Sequence, residues 1–281
     1  MKPELPYRRR LLAWLALLPS ASWLAGCAPS GEAPAIPPAR PVSDEQLSAL
    51  AKRRIFFGHQ SVGFNVMEGV EDVVAQHQGS GLKVVALKGG VAPDGPGFMH
   101  AANGINEKPL TKIDGFARAL ADSMQGNADI AFYKFCYVDI RADTDVVALF
   151  ERYKNSAAQL QLQYPQTTFV HVTAPLAVVQ SGPKAMVKKL LGRPDRWALD
   201  NVQRERFNDL MRKEYDKAFL FDLARLESTW EDGRRHTFEA GGRDVGALID
   251  DYSSDGQHLS ERGRRWMASN LLDHLARVPV R

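Results

Sequence analysis

Short, largely apolar runs alternate with segments of helical period from residue 54 onward, and this alternation limits the possible folds more than any other feature of the chain. Runs at 54–58, 83–87, 129–137, 168–173 and 218–223 have strand length and show no polar–apolar alternation. Between them, Val62, Val66, Val70 and Val73 share one helical face. So do Ile113, Phe116, Ala117 and Leu120, then Val146, Val147, Phe150 and Tyr153, then Val202, Leu210, Met211 and Tyr215. Trp266, Met267, Leu271 and Leu275 mark a closing helix, and Ser43 is placed to cap a first helix over DEQLSALAKR. Strands that are apolar on both sides must be covered on both sides, which predicts an α/β fold: a five-stranded parallel sheet between two helical layers. Ligands of such sheets bind beyond the carboxyl ends of the strands. Ser61, Gly89, Asp139 and Thr173 each follow an expected strand and should gather on that edge. The long connections 89–109 and 175–198 are of a length that usually serves function.

The first 27 residues have a different character. Arg8, Arg9 and Arg10 precede the apolar run LLAWLALL, and LAGC ends at Cys27. A basic start, a short apolar stretch and small residues before a cleavage point make an export signal. The run is too short for a comfortable bilayer span. Its end resembles the lipobox of bacterial lipoproteins, which implies lipidation of Cys27 and membrane anchoring outside the cytoplasm, with the outer membrane favoured. Residues 28–42 hold five prolines and almost no large apolar side chains, so they read as an extended tether. The folded domain is expected over 43–281. The chain's formal charge of +3 sits entirely in the leader, where Lys2 and the three arginines face only Glu4. The remainder is neutral, which speaks against nucleic acid as a partner. Cys136 is the only other cysteine and lies in an apolar run, as a small buried hydrophobe would.

Ser61 lies at the seam of the first strand and its helix, in IFFGHQSVGFNVMEG. A serine there either caps the helix or attacks a substrate, since a helix N-terminus favours developing negative charge. DGQHLSERG supplies the second half of a site. Asp255 and His258 lie one turn apart before the closing helix, the spacing at which a carboxylate orients an imidazole base. No His/Cys/Asp cluster has metal-ligand spacing and no phosphate-binding glycine motif is present, so no cofactor is expected.

Ser61 after strand one, taken with DGQHLSERG before the last helix, resembles the SGNH/GDSL hydrolase superfamily. The segment NVQRERFNDLMRKEYDKAFLFDL, with its Asn-x6-Asn helix before an FDL strand, and TFVHVTAPLAV agree with that resemblance. It implies a flavodoxin-like three-layer α/β/α fold and a Ser61–His258–Asp255 triad. GHQS replaces the family's Gly-Asp-Ser, leaving His59 and Gln60 as candidate substrate contacts. The family's Gly-x-Asn-Asp block reads CYVD, so its oxyanion-binding Asn is Val138 here, which cannot donate. Loss of one such donor costs about 3 kcal/mol of transition-state stabilisation. The resemblance implies that a glycine N–H completes the hole, from Gly89 or Gly104. Gly104 is preferred because Asn106 follows it with a side-chain amide. Asn103 and Asn106 read equally as turn residues. His100 is a further candidate at the site, and Asp139 is expected to anchor it by hydrogen bonding. His171 reads as a core or rim residue, and His77, His236 and His274 as surface residues.

The expected activity is ester hydrolysis, with an acylated carbohydrate of the cell envelope or exterior, or another small ester, as substrate. Transfer of the acyl group to a sugar hydroxyl, and a non-catalytic glycan-binding or assembly module favoured by Val138, are the alternatives.

Overall fold

A computed structural model describes residues 42–180, 191 and 195–280. The export signal, Cys27 and the tether up to residue 41 lie outside the described residues, as does most of 181–194. Six parallel strands form the central sheet: β1 Arg54–His59, β2 Val84–Leu87, β3 Gly97–Ala102, β4 Ile130–Tyr133, β5 Thr168–Val172 and β6 Leu220–Phe221. Their order is β2-β3-β1-β4-β5-β6. Without β2, the other five run in the flavodoxin order 2-1-3-4-5. The α/β class and the parallel sheet are those expected, with one strand more. The extra strand, β3, occupies the middle of the connection 89–109. Fewer residues of 129–137 join the ladder than expected, because the chain leaves the sheet after Tyr133.

Side chains alternate across the sheet, and each face has its own core. Ile55, Phe57, Phe98, Ile130, Phe132 and Val170 point to one layer. There they meet helices α1 (Asp44–Leu50), α2 (Val62–Gln76) and the closing α7 (Glu261–Arg277). Phe56, Met99, Ala131, Tyr133 and Phe169 point to the other, against α3 (Pro109–Asp122), α4 (Val146–Gln163) and α5 (Arg196–Glu214). Ser43 caps α1 through a reciprocal pair with Gln46, each side chain meeting the other's backbone N–H. A short helix α6 (Leu223–Glu227) follows β6, and an antiparallel hairpin of β7 (Thr237–Ala240) and β8 (Arg243–Gly246) turns at Gly241–Gly242.

Helix α5 explains why Asn201 and Asn208 stand seven residues apart. Two turns put them on one face. Asn208 Oδ1 accepts from Ala174 N at 2.7 Å and its Nδ2 donates to Ala174 O at 3.0 Å. Asn201 repeats the pattern on Ala177, at 3.0 and 2.7 Å. These two amides pair the backbone of the extended segment that leaves β5, and so carry it across the carboxyl edge of the sheet. Val178 N then donates to Gly256 O at 2.8 Å, which sets this segment beside the Asp255 turn.

Candidate active site

Ser61 leaves the sheet from its central strand. It does not cap α2: its hydroxyl makes no hydrogen bond to the first turn. Its backbone instead has φ 49° and ψ −115°, a conformation that non-glycine residues rarely adopt. Strain of this kind persists only where the surroundings hold it, and it clusters at functional positions. Gly63 permits the tight seam. A Cβ there would lie 2.4 Å from the Cβ of His59, so only glycine lets the first turn of α2 settle on the end of β1.

The strained turn aims Ser61 Oγ at His258, 2.7 Å from Nε2. His258 Nδ1 is 2.7 Å from Asp255 Oδ2. Asp255 Oδ1 accepts the backbone N–H groups of Gln257 and His258 at 2.9 and 2.8 Å, which fixes the carboxylate against the ring. Burial pushes the Asp255 carboxyl up, but the bonds from His258 and Gln257 outweigh it and hold the group below the usual range. An ionised Asp255 assigns the hydrogen to Nδ1, which leaves Nε2 as an acceptor for the serine proton. The turn is tied to α2 through Leu259 N, which donates to Asn65 Oδ1 at 3.3 Å. The His258 carbonyl accepts from Ser254 N and from the Ser253 hydroxyl.

Gly104 follows the end of the β1–β3 ladder. Asn103 N donates to His59 O, continuing the β1–β3 ladder, and Gln60 Nε2 donates to Gly104 O at 3.1 Å. Gly104 has φ 65°, and a Cβ on it would stand 2.7 Å from the Lys112 backbone. Among the described residues, neither the Ser61 N–H nor the Gly104 N–H finds an acceptor. Gly89 sits elsewhere. It follows β2, which β3 separates from β1, and it is exposed with open space around it.

Of the remaining candidates, His59, His100 and Asp139 are buried, whereas Asn106 is exposed. His59 is fully buried, with its Nε2 2.9 Å from Nδ1 of the buried His100. Burial holds His59 down at about 2 and lowers His100 as well, so the pair is neutral. Asn106 turns its Oδ1 to Lys112 Nζ at 2.9 Å. Asn103 is buried and donates to Lys112 O. Asp139 is an anchor: it accepts from Cys136 N at 2.6 Å and Glu107 N at 2.8 Å, and pairs with Lys112 Nζ at 3.3 Å. Burial raises its carboxyl against those partners. Thr173 accepts from Ala224 N and donates to Asp222. His171 is buried against Tyr153 and Tyr215, and desolvation lowers it to about 3. His274, expected at the surface, packs its ring on Phe221.

Charges buried behind the site were invisible in the sequence. Lys112 and Lys134 are both buried, with their Nζ atoms 3.4 and 3.6 Å from Cys136 Sγ. Arg204 is fully buried and donates to the carbonyls of Tyr137 and Ile140. Tyr137 itself was missed. It lies within the Cys136–Asp139 turn and stands edge-on to the His258 ring at 5.8 Å. An aromatic next to the missing Asn was the only signal in the sequence. Among the described residues, no group of three or more His, Cys, Asp or Glu is placed to hold a metal.

No family model and no curated protein matches the sequence. The chain is similar to several solved structures. One is a platelet activating factor protein from Streptococcus pneumonia, at 14% identity, TM-score 0.47, over 83% of this chain and 90% of that one. Another is the lipase/acylhydrolase from Enterococcus faecalis, at 13% identity, TM-score 0.45, over 82% and 98%. A third, from Desulfitobacterium hafniense DCB-2, is assigned to the G-D-S-L lipolytic family, at 8% identity, TM-score 0.43, over 78% and 98%.

Proposed function

We propose that this chain is a serine ester hydrolase of the SGNH/GDSL kind, acting on acyl groups, acetyl above all, carried by a cell-envelope or extracellular carbohydrate. The observation that carries the reading is the unbroken relay from Ser61 Oγ through His258 to Asp255, with both links at 2.7 Å. In the proposed cycle, Ser61 Oγ attacks the ester carbonyl as its proton passes to His258 Nε2. Asp255 steadies the imidazolium through Nδ1–H. The free N–H groups of Ser61 and Gly104 donate to the oxyanion. The intermediate collapses, the alcohol leaves with the proton from His258, and water, activated by the same imidazole, releases the acid and restores Ser61.

Lipidation of Cys27 and anchoring outside the cytoplasm belong to the same proposal. A tethered enzyme acts where its substrate is fixed, and the near-neutral domain suits an uncharged glycan. The test is turnover of p-nitrophenyl acetate and release of acetate from an acetylated glycan, beside Ser61→Ala. Both activities should vanish in the variant. Turnover that survives it removes Ser61 from the chemistry.

A further inference from the structure

Two amines and a thiol meet inside the fold, a combination that no part of the Ser61 relay uses. Cys136 Sγ lies 3.4 Å from Lys112 Nζ and 3.6 Å from Lys134 Nζ, and none of the three residues is more than 1% exposed. We propose that Lys134 and Cys136 are a modification site, at which dioxygen closes a covalent Nζ–O–Sγ bridge and a dithiol reopens it.

The two lysines are not equivalent. Lys112 Nζ is committed elsewhere, to Asp139 Oδ2 at 3.3 Å and Asn106 Oδ1 at 2.9 Å. Lys134 has no ion pair among the described residues. Its Nζ meets the Phe135 carbonyl at 3.3 Å and Cys136 Sγ. An ammonium buried without a counter-ion is costly, and burial drives Lys134 towards the neutral amine. Glu227 does not supply the missing charge. It is fully buried and pushed up to about 8, so it holds its proton at neutral pH. Lys134 is therefore an amine with an available lone pair, held against the sulfur of a thiol. It lies two residues from Cys136 on the chain that leaves β4, and its flexible stem needs only a small swing to close the bridge.

The step balances with dioxygen as the only oxidant. The S–H bond and one N–H bond break, the O–O bond splits, and S–O and O–N bonds form. Sulfur and nitrogen each give up two electrons. The second oxygen takes all four and leaves, with both hydrogens, as water. Dioxygen is small and apolar, so burial does not exclude it as it excludes larger reagents. Reduction by dithiothreitol, again four electrons, returns thiol, amine and water. The bridge also reaches the proposed site. Cys136 Sγ donates its hydrogen to the Gln60 carbonyl at 3.4 Å, one residue before the strained Ser61. Closing the bridge removes that hydrogen and loosens the seam; this coupling rests on the hydrolase reading above.

The experiment uses the unaltered full chain, aerated and then divided into samples with and without dithiothreitol. Intact mass and tryptic mapping read the result, beside Cys136→Ala as control. The aerated sample should gain one oxygen and lose two hydrogens, and trypsin should fail to cut after Lys134. Dithiothreitol should erase both signs, and Cys136→Ala should never show them. An aerated chain with the mass of the reduced one overturns the proposal. So does a sulfenic or sulfinic acid on Cys136 with Lys134 still cut, or a bridge that maps to Lys112. None of these outcomes depends on turnover, so they stand apart from the hydrolase reading. The coupling is read on p-nitrophenyl acetate: reducing the bridged chain should raise kcat by about threefold or more, the worth of one weak hydrogen bond. An unchanged kcat, in a chain that Ser61→Ala inactivates, refutes the coupling. A reduced chain with no turnover sinks the hydrolase reading and the coupling with it, while the mass still decides the bridge.

Discussion

Replacing Asp255 by asparagine tests the relay with almost no change in shape. The carboxylate does two jobs: Oδ1 accepts two backbone N–H groups and Oδ2 accepts His258 Nδ1–H. An amide can keep only one of them. If its oxygen stays with the backbone, its NH2 faces Nδ1, and the ring must carry its hydrogen on Nε2, pointed at Ser61. The serine proton then has no acceptor. If the amide flips to serve the ring, its NH2 meets the Gln257 and His258 N–H groups, and two hydrogen bonds of about 1 kcal/mol each are lost. The first arrangement therefore dominates, with the base in the wrong tautomer. Losing the correct tautomer in a triad of this type costs on the order of 10⁴-fold in kcat, about 5.5 kcal/mol of barrier. Asp255 is exposed, so stability should move by less than about 0.5 kcal/mol. Steady-state kinetics on p-nitrophenyl acetate, beside a thermal melt of the same samples, read both quantities. An Asn variant that keeps kcat within about tenfold of the parent would refute the assignment of the carboxylate to the relay.

Two further outcomes concern the scaffold. Asn208→Ala removes both bonds that hold Ala174 and leaves a buried N–H and C=O unpaired, so a chemical melt should show a loss of about 2–4 kcal/mol. His171 is held at about 3 in the fold and returns to about 6.5 when unfolded, so its contribution to stability is present above pH 6.5 and is lost as the pH falls towards 3. His171→Phe should therefore appear about 2 kcal/mol less costly at pH 5 than at pH 7, as read from paired melts. A cost independent of pH would place a charged imidazole in that core.

The parts of the molecule legible in the sequence are those whose burial is written in apolar side chains. Ile55, Phe56 and Phe57 identify β1 because no polar residue interrupts them, and that run fixed the seam on which Ser61 stands. The Asp255–His258 spacing was legible because both residues belong to one local turn. β3 was missed because GFMHAA begins with a glycine in extended backbone, carries a histidine and follows a Pro- and Gly-rich approach. The β7–β8 hairpin is largely polar and half-buried, so its period does not stand out.

Helix α5 was legible for its asparagines but not for its buried charge. It turns Asp200, Asn201, Arg204, Glu205 and Asn208 inward, so its core face reads as a solvent face. Lys112 and Lys134 were invisible for the same reason. A buried charge is stabilised by partners distant in the chain, here Asp139 for Lys112, and no local pattern records them. His59 and His100 misled in the opposite sense. Polar residues beside a candidate nucleophile suggest substrate contact, yet each is the other's partner inside the fold.

The central claim is that Ser61 is a nucleophile armed by His258. Treatment with a fluorophosphonate, followed by intact mass and peptide mapping, tests it most directly. A single adduct on Ser61, lost in His258→Ala, is the predicted result. An unlabelled protein, or an adduct on another residue, would contradict it.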